Sequence, residues 1–380
     1  MIFRAIVITI VCHLSNAFVE TEYDDNLDGI AITPLNFNSN DYPVKLTQRK
    51  LKKEGTGKKH DKKSSKKSAA CKKSKGSKTD ERLCEIVKVK EINLGVDTLG
   101  IIPSEVKADV YTCETSNECS GPPPLVVFAC GGTIQKGVQK LFAETLTRKG
   151  YVVMILDHPF QFGPGPVFNF AQPQDFNSAI DYAKSQTDFE VDSDSVALLG
   201  HSYGFGAIIT ALNELCSMPF CNNAVVPFNP SVKAVAGFGA SLRMVGGGGP
   251  DQFIDSNNQG FPTFILNGAG DSNSFDTDVT TGENFSIGTF DRLDATKILT
   301  VVSNLDHFSI ADKVINPGEN PFFDDVPSTL PRIEQIGRVV DIFNFYLEGV
   351  FAGKPQIDVC KGLKKEFTGI VDMCLEEYEE

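Results

Sequence analysis

The 380-residue chain contains no tryptophan and only five histidines. Aromatic packing therefore falls to 28 phenylalanines and eight tyrosines, and any acid–base chemistry has few imidazoles to use. No segment reaches about 18 uninterrupted apolar residues, so no membrane-spanning helix is expected and the mature chain is expected to be soluble. Cysteine and histidine spacing of the zinc-binding kind is absent, and neither a metal nor a cofactor is expected. No internal repeat is evident. With 41% apolar and 22% charged residues, the chain is neither wholly disordered nor collagen-like.

What is present is unevenly placed. The formal net charge of −13 conceals an acidic stretch, a basic tract and an acidic remainder. Residues 18–44 hold six acids and no base, residues 45–78 hold fifteen bases and two acids, and residues 79–380 hold 20 bases against 41 acids. Any partner must therefore be assigned to one part of the chain.

Arg4, the apolar run Ala5 to Cys12 and the small residues Ser15-Asn16-Ala17 predict a signal peptide over residues 1–17, and hence a secreted or cell-surface protein. The Ser-Asn-Ala-Phe junction also resembles the cleavage motif of algal plastid preproteins. The acids Glu20, Glu22, Asp24, Asp25 and Asp28 argue against the basic transit peptide that plastid delivery needs, so the plastid is the minority expectation. An acidic propeptide over residues 18–51 and a lysine-rich disordered tract over residues 52–80 follow, since the tract has too few apolar residues to offset the entropy of ordering. Lysine dyads among serines, after an acidic segment ending Arg49-Lys50-Leu51, resemble silaffin-type proteins. That resemblance implies that Lys52 to Lys78 bind a polyanionic surface such as silica, phosphate or acidic polysaccharide. Nucleic acid is not expected as a partner, because the tract lacks interleaved aromatics.

With Cys12 removed, nine cysteines remain. Cys130 ends an apolar strand and reads as a buried thiol. The other eight suggest disulfides, with Cys113 to Cys119 and Cys216 to Cys221 as the expected local pairs. Cys360 and Cys374 could meet only if the intervening chain breaks near Gly362 or Gly369, because straight helix would hold them about 21 Å apart.

From about residue 85 onward, early strands are expected at Glu85 to Asn93 and Lys107 to Cys113, and buried ones at Leu125 to Ala129, Tyr151 to Leu156, Ser195 to Leu199, Val232 to Phe238, Thr263 to Leu266 and Lys297 to Val302. They alternate with helical stretches near Gln135 to Lys149, Phe176 to Thr187, Tyr203 to Leu215 and Arg332 to Phe351, which predicts an α/β domain over residues 85–380 with a mainly parallel sheet covered on both faces. Within it, Gly200-His201-Ser202-Tyr203-Gly204 lies between the strand Val196-Ala197-Leu198-Leu199 and a helix opening Phe205-Gly206-Ala207, as a nucleophile elbow does. A serine hydroxyl needs a base to take its proton. His13 goes with the signal, His60 lies in the lysine tract, His201 should turn its ring away, and His158 orders a loop upstream. His307, just past the last expected buried strand, is the candidate base. Asp271 follows the strand before it and is the candidate orienting acid; Asp276, Asp278 and Asp306 compete. The oxyanion donors are expected to be the backbone N–H groups of Tyr203 and Gly132.

On these motifs, residues 120–350 resemble the α/β-hydrolase superfamily. Within it they are most similar to the group of chlorophyllases, platelet-activating-factor acetylhydrolases and cutinase-like polyester hydrolases, through Gly131-Gly132, Asp157-His158-Pro159, the elbow, Gly268 to Asp271 and His307. The resemblance implies a serine esterase acting through an acyl-enzyme on an ester or lipid-like substrate. The alternatives are a wall- or silica-associated binding protein whose hydrolase domain is a scaffold, and a chlorophyllase-like plastid esterase. Phe160, Phe162, Phe168, Phe170 and Phe176 form either an apolar acyl pocket or a core anchor. Asn284-Phe285-Ser286 is a glycosylation sequon.

Overall fold

The computed structural model describes residues 86–99, 102–114, 121–132, 134–161, 167–169, 171–214, 227–240, 242, 258–271, 285–294, 296–313, 325–354 and 358–378. The expected signal peptide, propeptide and lysine tract lie outside them, as do Cys119, Cys216, Cys221, Asp276, Asp278, Phe162, Phe170 and Asn284.

Eleven strands are described. A long hairpin of β1 (Ile86–Leu99) and β2 (Ile102–Glu114) leads to β3 (Pro124–Ala129) and β4 (Val152–Asp157). A short ribbon of β5 (Pro159–Gln161) and β6 (Val167–Asn169) follows, then β7 (Asp192–His201), β8 (Val232–Phe238), β9 (Thr263–Gly268), β10 (Lys297–Val302) and β11 (Val371–Glu377). The main sheet has nine strands in the order β1-β2-β4-β3-β7-β8-β9-β10-β11. The pairings from β4 to β10 are all parallel, and antiparallel pairs close both edges.

The central strands read as continuous apolar runs because both of their faces are covered. In β3 the period of two sends Val126 and Phe128 to one core and Leu125, Val127 and Ala129 to the other. The first core includes residues of α1 (Lys140–Arg148), α5 (Arg332–Phe351) and α6 (Val359–Glu366); the second includes residues of α2 (Pro173–Ser185), α3 (Tyr203–Leu212) and α4 (Phe285–Arg292). Phe176 is buried in the second core, so it anchors α2.

The structure lengthens the first hairpin and adds β11, which sequence reading did not separate from loop. Only Cys374 of β11 is buried, and its charged residues Asp372, Glu376 and Glu377 mask the strand pattern, as an edge strand allows. Cys360 in α6 and Cys374 in β11 form a disulfide with Cα atoms 5.5 Å apart. The break that permits it is the turn after Glu366, where Gly369 adopts φ +74°. Cys113 is also disulfide-bonded. Cys130 is a free, fully buried thiol that donates to the Leu156 carbonyl, and burial pushes its pKa up, away from the reactive thiolate.

Candidate active site

Parallel strands deliver their carboxyl ends to one edge of the sheet, and three of the sequence candidates stand there: Ser202 after β7, Asp271 after β9 and His307 after β10. Ser202 occupies the turn between β7 and α3 with φ 50° and ψ −118°, a conformation that side chains other than glycine adopt only at a cost. The turn is pinned from both directions: Ser202 N donates to Phe238 O at 3.0 Å, and Phe205 N to Ser202 O at 3.0 Å. Its flanking glycines are required by close approach. A Cβ at Gly200 would lie 2.3 Å from Phe205 N, and one at Gly204 would lie 2.3 Å from Ala129 O.

His307 and Asp271 are brought together. His307 Nδ1 lies 3.1 and 3.0 Å from the two Asp271 carboxylate oxygens, and both residues are buried. Burial lowers the imidazole pKa, but the Asp271 charge and hydrogen bond outweigh it, with Asp325 and Asp306 adding to them, so the net direction is upward. The bond to Asp271 consumes Nδ1–H and fixes the tautomer in which Nε2 carries the lone pair that a base would use. Gly239, at φ +58°, passes so close that a Cβ there would sit 2.7 Å from His307 Nδ1.

Among the described residues, Asp306, Asp325 and His158 have other partners. Asp306 accepts from Phe308 N, Ser309 Oγ and Ser328 N, which ties down the loop that carries His307. Asp325 accepts from His307 N at 3.2 Å. His158 pairs with Asp175 at 2.8 Å, with both side chains buried, and Asp175 also accepts from Gln172 N at the start of α2. His158 thus orders its loop.

Tyr203 is the first residue of α3, where a backbone N–H has no intrahelical carbonyl to meet. Gly132 lies in the turn after β3, which Ile134 N closes by donating to Gly131 O at 3.0 Å. This turn abuts the elbow: a Cβ at Gly131 would lie 3.4 Å from Ser202 Cβ.

One participant was missed. The His201 ring was expected to turn away, yet its centroid lies 4.8 Å from that of His307, and its Nε2 donates to the His307 carbonyl at 2.8 Å. Burial first, then the neighbouring His307, holds its pKa well below the ordinary value, so His201 is neutral. It ties the elbow to the loop that presents the candidate base. Nothing in the pattern Gly-x-Ser-x-Gly marks this, because the partner is a backbone atom 106 residues away.

A solved structure of a ferulic acid esterase from Streptomyces cinnamoneus is similar to this chain, with a TM-score of 0.51 and 14% identity. The likeness covers 71% of this chain and 91% of that one. The chain has the α/β-hydrolase fold. No family model matches it, and no curated protein matches it in sequence. The buried His307–Asp271 pair and the strained Ser202 stand together at the carboxyl edge of its parallel strands. Among the described residues no group of histidine, cysteine, aspartate and glutamate could hold a metal ion, and no helix is long and apolar enough to cross a membrane.

Proposed function

We propose that the chain is a serine hydrolase of carboxylic esters. Ser202 attacks the ester carbonyl, His307 Nε2 takes the hydroxyl proton and returns it to the leaving alcohol, and Asp271 holds the imidazolium that forms between these steps. The N–H groups of Tyr203 and Gly132 stabilise the tetrahedral oxyanion, and water repeats the cycle on the acyl-enzyme. The single observation that carries this reading is the buried His307–Asp271 hydrogen bond at the carboxyl edge that also bears Ser202. The sequence motifs favour the chlorophyllase, platelet-activating-factor acetylhydrolase and cutinase-like group as the source of its substrate class, an ester or lipid-like small molecule.

A fluorophosphonate probe tests the reading directly. It should label the wild-type chain and not Ser202→Ala; absence of labelling on folded wild-type protein would instead support the scaffold reading, in which the domain only carries a binding tract. We further propose, from the signal peptide and lysine tract read in the sequence, that the enzyme acts outside the cell, held by Lys52 to Lys78 on a polyanionic surface. Deleting residues 52–78 should abolish adsorption to silica at low ionic strength, and raising the salt toward 1 M should release the intact chain, since screening shortens the Debye length to about 3 Å. Adsorption that survives either change would remove the tract from that role.

A further inference from the structure

We infer that Asn169 is a positioning residue that fixes the direction of the Gly132 N–H, and so builds one half of the oxyanion site; the inference rests on the hydrolase reading above. Asn169 ends β6, belongs to no catalytic motif and is fully buried. Its backbone N–H donates to Gly132 O at 3.0 Å. Its side-chain Nδ2 donates to Ile134 O at 3.2 Å and to Asp157 Oδ1 at 2.9 Å, while its Oδ1 accepts from His158 N at 3.0 Å. One residue thereby joins the turn after β3 to the end of β4.

The need for such a clamp follows from the turn's own chemistry. Gly131 and Gly132 are adjacent glycines, and a peptide between glycines can flip at little steric cost. In a planar trans peptide the C=O and N–H point in opposite directions. With Gly131 O committed to Ile134 N, the N–H of Gly132 faces out of the turn. Gly132 O is held by the Asn169 backbone N–H, and Ile134, whose own N–H holds Gly131 O, is held in turn by Asn169 Nδ2, so the side chain supports the turn bond that a flip of that peptide would break. A donor fixed before the oxyanion forms requires no reorganisation during the reaction. Only an amide offers two donors and an acceptor in this geometry; aspartate would set a second carboxylate against Asp157, whose own pKa burial already raises.

The test uses the full chain. Asn169→Ala should lower kcat for a p-nitrophenyl ester by about 10²-fold, the cost of a misplaced oxyanion donor, with KM unchanged. The inhibition constant of a phenylboronic acid, which becomes tetrahedral on a serine hydroxyl, should rise by the same factor as kcat/KM falls. A merely structural role would reduce the folded fraction without that parallel. Should Asn169→Ala not fold, Asn169→Ser is read in the same way. A folded variant with wild-type kcat, or one in which kcat falls while boronate affinity holds, overturns the inference. Ser202→Ala, measured alongside, separates the two claims: if that variant also hydrolyses the ester, the hydrolase reading fails.

Discussion

Ser202→Ala should lower kcat on a p-nitrophenyl ester by about 10⁴-fold or more while leaving the fold unchanged. The size of the loss follows from the role proposed for Ser202: as the nucleophile it supplies the oxygen that the acyl-enzyme needs, and without it only binding and the proposed oxyanion donors would favour direct attack by water. The fold should survive because the Ser202 backbone, not its hydroxyl, holds the turn through Phe238 O and Phe205 N. A companion variant sharpens the test. At φ 50° a residue with a Cβ is strained, and glycine is not, so Ser202→Gly should be as inactive as Ser202→Ala yet more stable than wild type by about 1 kcal/mol. Chemical denaturation measures the second quantity. Near-normal turnover by either variant would remove Ser202 from the mechanism.

The second large effect is expected at Asp271. Asp271→Asn should lower kcat by about 10⁴-fold, because an amide can donate to Nδ1 and thereby stabilise the wrong imidazole tautomer. Its pH profile should change as well. The proposed base would act only when neutral, so wild-type activity should be lost as pH falls through the His307 pKa, which is raised above the ordinary 6.5. Asp271, Asp325 and Asp306 raise that value, while burial lowers it and His201 is the neighbouring imidazole. Removing the Asp271 charge leaves burial opposed only by the weaker carboxylates, so the acid limb should move to lower pH. An acid limb that stays in place in Asp271→Asn would mean that another carboxylate governs His307.

How much of this could be read from the chain depends on whether the information is local. The elbow was legible because strand, strained serine and helix are consecutive, and the glycines that close approach demands, Gly200 and Gly204, sit two residues either side of Ser202. The strands Val232–Phe238 and Lys297–Val302 were legible because burial on both faces leaves almost no polar residue inside them. Helix α5 was legible for the complementary reason: a helical period with one apolar stripe runs unbroken from Arg332 to Phe351. Strand β11 was not, because an edge strand keeps charges that mimic a loop.

The lower legibility of the site's supports has the same cause. His307 and Asp271 could be nominated by their order after the last two parallel strands, since that topology sets where a base and its acid can stand. The neutral His201 bound to the His307 carbonyl could not be, nor the assignment of Asp306 to the loop, nor the four bonds of Asn169. Most of these hydrogen bonds run to backbone atoms, which carry no residue identity and leave no trace in a sequence.

The chain by itself thus determined the alternation of strands and helices, the elbow and the residue types available for acid–base work, because these rest on periodicity, steric demand and the scarcity of histidine. Tertiary structure alone decided which of the carboxylates faces His307, where Cys360 finds Cys374, and how the glycine turn after β3 is held, because these are distances between segments that only packing brings together.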